Sequence, residues 1–179
     1  MTGSVVIMGV AGCGKSSLGA ALARAVGAVL VEGDDFHAPA SRDKMNRGIA
    51  LTDADRDGWL TTLGAELQRH PAGAVLTCSA LKRAYRERLR AASPGLRFVF
   101  LDIDRASALQ RVSSRAASHF FSASLVDSQF ATLEPPVGED GVLRLDALEP
   151  LEALRERALA WLGGAEAAPP PSPRNAEGQ

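Results

Sequence analysis

The run Gly9-Val10-Ala11-Gly12-Cys13-Gly14-Lys15-Ser16 satisfies the pattern G-x-x-x-x-G-K-[ST] in full. Each residue type in it answers a physical need. Glycines let the backbone curl until successive N–H groups point inward as an anion nest, and a helix beginning near Lys15 aims its positive dipole end at the same point. Lys15 can follow the terminal phosphates of a nucleoside triphosphate, and the Ser16 hydroxyl is a hard oxygen ligand suited to Mg²⁺. Nucleotide contacts are therefore expected over Gly9, Val10, Ala11, Gly12, Cys13, Gly14, Lys15, Ser16 and Ser17, with Cys13 filling a variable, packing slot. A glycine-rich turn that merely matches the pattern would not be expected between a strand and a helix, which is where this run lies.

A phosphate loop names a nucleotide, not a reaction, so the groups facing the terminal phosphate matter next. Gly33-Asp34-Asp35 follows directly on a second strand. In an open parallel sheet the ligand crevice lies at the carboxyl ends of the strands, so these carboxylates should open into the same crevice as the phosphate loop. Asp34 is the candidate to accept a proton from an attacking hydroxyl and to help hold Mg²⁺ through water. The competing role for the pair is to cap a following helix, since Asp is favoured there. A lone His is more often structural, but His37, three residues past a crevice carboxylate, could touch substrate.

Two further clusters carry charge. Cys78-Ser79-Ala80-Leu81-Lys82 ends a third strand and leads into Tyr85, Arg86 and Arg90. That run could be a solvated helix face, but Ser79 and Lys82 at its start could bind an anionic substrate. Arg111 and Arg115 are one helical turn apart and precede a loop-like stretch, an arrangement suited to a lid that clamps developing phosphoryl charge. The alternative is a helix end whose cations are favoured by the dipole.

The elements that must hold these groups follow from periodicity. Ser4 to Gly9 is a continuous apolar, β-branched run, as in a central parallel strand buried on both faces. Leu18, Ala21, Leu22 and Ala25 recur at helical spacing and predict a helix over Lys15 to Val26, stopped by Gly27. Further strands are expected at Ala28 to Val31, Ala74 to Cys78, Phe98 to Leu101 and Val142 to Leu145. Helices are expected from a Thr52 cap through Leu67, over Lys82 to Ala92, Ala106 to Arg115 and Ser124 to Leu133, and from Pro150 to Leu162. Strands alternating with helices imply an α/β domain around a parallel sheet. Residues 163–179, with three consecutive prolines and nothing β-branched or aromatic to bury, read as a disordered tail.

Composition narrows the function classes. The 179 residues carry 20 Lys and Arg against 21 Asp and Glu, which argues against a globally basic nucleic-acid binder or a polybasic membrane adherent. The longest apolar runs are strand-sized, so no membrane span is expected; the sequence opens on a strand pattern in place of a charged region, an apolar region and a cleavage site, so no export signal is expected and the cytoplasm is the expected location. Two cysteines are too few for a disulfide framework or a four-ligand zinc site. A guanine-specific switch would need an Asn-Lys-x-Asp reader, and no such run occurs, which favours an enzyme over a nucleotide-dependent binding module.

The same stretches resemble the small gluconate kinases, shikimate-kinase-like relatives of the nucleoside monophosphate kinases. The resemblance rests on Met8 to Ser16, Glu32-Gly33-Asp34-Asp35-Phe36-His37, Lys44-Met45, Gly48 to Leu51, and Asp53-Ala54-Asp55-Arg56 with Trp59-Leu60. It continues through Cys78 to Lys82, Tyr85-Arg86, Leu89-Arg90, His119-Phe120 and Ser128 to Glu134. Ala38 and Ser41 depart from it, standing where Pro and Asn are usual. The resemblance implies a three-layer α/β sandwich with five parallel strands and a kinase domain over 1–162, including a small lid over about 115–123. It implies ATP- and Mg²⁺-dependent phosphorylation of the C6 hydroxyl of D-gluconate, and a homodimer. By the same resemblance Arg111 would lie along the adenine and Arg115 would belong to the lid. Asp34, His37, Arg56, Ser79, Lys82 and Arg86 would face the sugar acid.

Overall fold

The structure, a computed structural model, describes residues 3–114 and 123–164. Five parallel strands form one sheet in the order β2-β3-β1-β4-β5. They are β1 (Val5–Met8), β2 (Val29–Glu32), β3 (Ala74–Thr77), β4 (Arg97–Asp102) and β5 (Val142–Asp146). Strand β1 lies in the middle with all four residues buried, which explains its unbroken apolar run.

Alternation along β1 divides the core into two layers. Val5 and Ile7 point to one face with Val75, Val99 and Leu143, where α1 (Lys15–Val26) and α7 (Leu151–Leu162) cover them through Leu18, Leu22, Leu154 and Ala158. The same layer takes Ala108 of α5 (Arg105–Ser114) and Val126 of α6 (Ala123–Thr132). Val6 and Met8 point to the opposite face, covered by Trp59, Leu60, Leu63 and Leu67 of α3 (Asp53–Arg69) and by Tyr85 and Leu89 of α4 (Arg83–Ala92). This is the three-layer α/β sandwich with helices on both sheet faces. Each fully buried Leu or Ile contributes roughly 1.5–3 kcal/mol of transfer free energy, so the two layers hold the helices against the sheet.

The expected elements appear with their ends shifted by a residue or two. Thr52 caps α3 in a complete capping box: its hydroxyl accepts from the Asp55 N–H, and the Asp55 carboxylate accepts from the Thr52 N–H. Lys82 and Pro150 are N-caps instead of first helical residues. One helix was not anticipated, α2 (Pro39–Asn46), which buries only Ser41 and so has no apolar stripe to betray it. A short 3₁₀ turn, Gly33–Phe36, links β2 to it. The lid expected over about 115–123 and the tail expected over 163–179 lie, apart from residues 123, 163 and 164, outside the described residues. Among the described residues no helix is long and apolar enough to cross a membrane.

Candidate active site

A cleft of about 340 Å³ opens at the carboxyl ends of β1, β2 and β3, where an open parallel sheet binds ligands. Its floor is the turn between β1 and α1. Gly9 sits at φ +141°, and a Cβ there would fall 2.7 Å from the Leu101 carbonyl oxygen and 2.8 Å from Cys13 Sγ. Glycine is thus required by close approach as well as by the backbone conformation. Ala11, Gly12, Gly14, Lys15, Ser16 and Ser17 line the cleft. Gly9, Val10 and Cys13 lie behind it, and Val10 and Cys13 are buried. The Lys15 ammonium folds back onto its own loop, donating to the Gly9 and Val10 carbonyl oxygens at 3.0 Å each.

The opposite wall is built from the end of β2 and the start of α3. Asp34 and His37 both line the cleft. Asp34 is 79% exposed there, with its Oδ1 3.7 Å from His37 Nε2. The facing imidazole, followed by the charges of Lys15 and Arg42, holds the Asp34 carboxyl below its usual range. The His37 ring stacks on Trp59 with centroids 4.2 Å apart. Trp59 is anchored in turn by donating from its indole to the Gly33 carbonyl oxygen at 2.7 Å. Gly33 permits this geometry because any Cβ would lie 2.2 Å from the Thr77 carbonyl oxygen. His37 Nδ1 is buried and without a hydrogen-bond partner among the described residues. An unpaired buried nitrogen is costly, and here it belongs to a residue of the cleft wall.

Arg56 and Ser79 complete that wall, with Met45, Ala50 and Leu51 from the α2 side. Arg56 is buried and anchored by donating to the Leu51 carbonyl oxygen. Lys44 binds the Asp55 carboxylate at 2.6 Å, tying α2 to α3. Lys44, then the Thr52 N–H and hydroxyl, push the Asp55 carboxyl down to about 2.

Two residues expected on the substrate side are elsewhere. Lys82 caps α4 and pairs across the helix interface with Asp53 at 2.8 Å. Arg86 is fully buried, and all five of its N–H donors are used within the protein. Nη1 donates to the Ala80 and Leu81 carbonyl oxygens, Nη2 to Glu134 O and Glu139, and Nε to Glu139. It has nothing left to offer a ligand. Helical periodicity puts Arg86 on a face of α4, but only the packing of α4 on the sheet turns that face inward. Arg111 donates to the Gly12 and Ala147 carbonyl oxygens at 3.4 and 3.0 Å and so braces the outer side of the phosphate loop. Arg115 lies outside the described residues.

Two cleft-side groups escaped the sequence. Glu32 Oε2 accepts from the Ser16 hydroxyl at 3.1 Å and from Thr77 Oγ1, which puts a second carboxylate beside the candidate Mg²⁺ hydroxyl. Its place at the end of β2 was the available signal. Gln129, on α6, lines the cleft and accepts from the Ala11 N–H at 2.7 Å; a partner 118 residues away leaves no local trace. Among the described residues no cluster of three or more His, Cys, Asp or Glu could hold a metal by itself. Burial pushes the Cys78 thiol up to about 12, so this cysteine beside the site is inert.

Comparison with known proteins agrees with this geometry. A family model described as an AAA domain matches residues 5–136. The gluconokinase of Gluconobacter oxydans (strain 621H) is 44% identical over 144 residues, covering 79% of this chain and 80% of that protein. The thermosensitive gluconokinase of Escherichia coli (strain K12) is 39% identical over 147 residues, covering 80% and 78%. The crystal structure of a gluconokinase from Sinorhizobium meliloti 1021 superposes with a TM-score of 0.84 at 44% identity, over 91% of this chain and 93% of that one. With the phosphate loop and the Asp34 wall on one cleft, the chain belongs to the gluconokinase family of P-loop kinases.

Proposed function

We infer that the protein transfers the terminal phosphoryl group of ATP to D-gluconate, at the C6 hydroxyl, giving 6-phospho-D-gluconate. The observation that carries this reading is the cleft itself, in which the phosphate loop faces a wall holding both a carboxylate, Asp34, and a buried cation, Arg56. The N–H groups of the loop cradle the phosphates, and Lys15 leaves the Gly9 and Val10 carbonyls to follow the charge that develops on the transferred group. Ser16, with Glu32 and Asp34 behind water, would hold Mg²⁺, whose chemistry there is to neutralise phosphate charge. Asp34 orients the attacking hydroxyl and accepts its proton. His37 Nδ1 gains from a substrate hydroxyl the partner it lacks, Ser79 contributes a further hydroxyl, and Arg56 answers the acid's carboxylate. Arg111 and Arg115 serve the nucleotide side, Arg115 as part of a lid over about 115–123. The kinase domain spans 1–162 and acts in the cytoplasm as a homodimer.

One coupled assay of ATP consumption tests this across aldonic acids, shikimate and nucleoside monophosphates. Gluconate is expected to give the highest kcat/KM. Turnover of shikimate or a nucleoside monophosphate without turnover of gluconate would overturn the assignment.

A further inference from the structure

Ala80 is the one non-glycine among the described residues with a left-handed backbone, at φ +45°, and it is fully buried. A side chain there is strained, and such strain persists only where the surroundings over-determine it. The residue before it, Ser79, lines the cleft. The restraints on this turn are all visible. Gly9 N–H donates to Ser79 O at 3.3 Å and Glu134 N–H to Leu81 O at 2.9 Å. Arg86 Nη1 spans the turn, reaching Ala80 O at 2.8 Å and Leu81 O at 3.1 Å. The guanidinium is aimed by Glu139, 7% exposed, whose carboxylate also accepts from Arg90 at 3.0 Å.

A buried ion pair is by itself weak evidence for stability, because an apolar pair of equal volume often serves as well. This one commits two donors to the carbonyl oxygen of the strained residue, Ala80, and to that of Leu81 after it, next to the substrate wall. We propose that the buried Arg86–Glu139 pair positions the acceptor site, clamping the Ala80 backbone in its left-handed conformation and thereby fixing Ser79 in the cleft. The proposal rests on the reading of Ser79 as a substrate contact. It makes Arg86 a positioning residue acting through the turn, in place of the direct contact that the sequence suggested.

The test is a mutant cycle in the full chain, with KM for gluconate and for ATP, kcat and Tm measured on each protein. Glu139→Gln keeps the shape and removes the charge that aims Arg86. It should raise KM for gluconate about tenfold, the scale of one charge-assisted hydrogen bond, and leave KM for ATP within about twofold. Ala80→Gly should matter little alone, since glycine adopts this conformation without side-chain strain. In its background, Glu139→Gln should lose most of its effect, to within about threefold of wild type, because coupled positions are non-additive. Arg90→Gln perturbs Glu139 from the half-buried side and should act in the same direction by about two- to threefold; if Glu139→Gln fails to fold, the cycle of Arg90→Gln with Ala80→Gly carries the test. A lowered Tm with unchanged KM for gluconate would reduce the pair to a structural role, and an effect undiminished by Ala80→Gly would remove strain from the argument. Wild-type turnover of gluconate is measured alongside. Its absence would overturn the proposed function itself, whereas its presence with unaffected variants would overturn only this inference.

Discussion

Asp34→Asn isolates what the carboxylate contributes, because the substitution preserves size and polarity and removes charge and basicity. The structure bears directly on its size. Asp34 lies inside the 3₁₀ turn Gly33–Phe36, and the helix that follows, α2, has Ala38 as its N-cap with no side-chain cap hydrogen bond, so Asp34 does not serve as the helix cap that its position in the sequence allowed. Its side chain is 79% exposed, with the His37 imidazole 3.7 Å away. Little stability therefore rests on it, and Tm should move by no more than the equivalent of about 0.5 kcal/mol. If it accepts the substrate proton, loss of basicity should lower kcat by about two to four powers of ten, or at least about 2.7 kcal/mol of barrier. Nucleotide affinity should hold or improve, because a negative charge facing the phosphates has been removed while the nest, Lys15 and Ser16 remain. The pH profile adds a sign. His37, Lys15 and Arg42 hold the carboxyl below its ordinary 3.8, so the wild-type protein keeps its base ionised as pH falls to that value and loses it only below. Steady-state kcat with gluconate, equilibrium ATP binding and Tm on this one variant decide the case. Near-normal turnover would refute Asp34 as the base, and a parallel loss of ATP affinity would reassign it to the nucleotide side.

Three other outcomes are expected. Lys15→Ala should nearly abolish turnover while the fold survives, since among the described residues the hydrogen bonds of its ammonium stay within its own loop, to the Gly9 and Val10 carbonyls at 3.0 Å and to Cys13 Sγ at 4.0 Å; a folded variant retaining most of the wild-type rate would remove the phosphate-loop assignment. Trp59→Phe strips the donor from the buried Gly33 carbonyl oxygen, a loss of about 1–3 kcal/mol that should lower Tm by on the order of 5 °C and raise KM for gluconate through the unsupported His37 ring, as calorimetry and kinetics can establish together. Asp55, pushed from 3.8 to about 2, stabilises the fold above its unfolded value and loses that contribution as pH falls toward about 2; Asp55→Asn should therefore unfold more readily at neutral pH and show a flatter stability profile between those two values in acid titration followed by circular dichroism.

What the chain makes legible by itself is whatever is local. The phosphate loop, its buried strand and the helix it starts lie within 22 consecutive positions, Val5–Val26. Nearest-neighbour sterics, glycine backbones and one apolar stripe suffice to specify them. The same holds for the capping box at Thr52 and for the alternation of strands and helices that implies the sheet. Helix α2 is also local, yet it escaped because it buries a single serine and carries no periodic signal. The rest was settled by packing. Arg56 and Arg86 are both arginines on amphipathic helices, and nothing in their spacing says that one reaches the cleft while the other spends every donor on Glu139, Glu134 and the Ala80 turn. Glu32 meets Thr77 across 45 residues, and Gln129 meets Ala11 across 118. Such contacts exist because parallel strands bring all their carboxyl ends to one edge of the sheet, so groups far apart in the chain converge there. The energies that choose among them, burial of a charge against its pairing, depend on surroundings that only the assembled layers create.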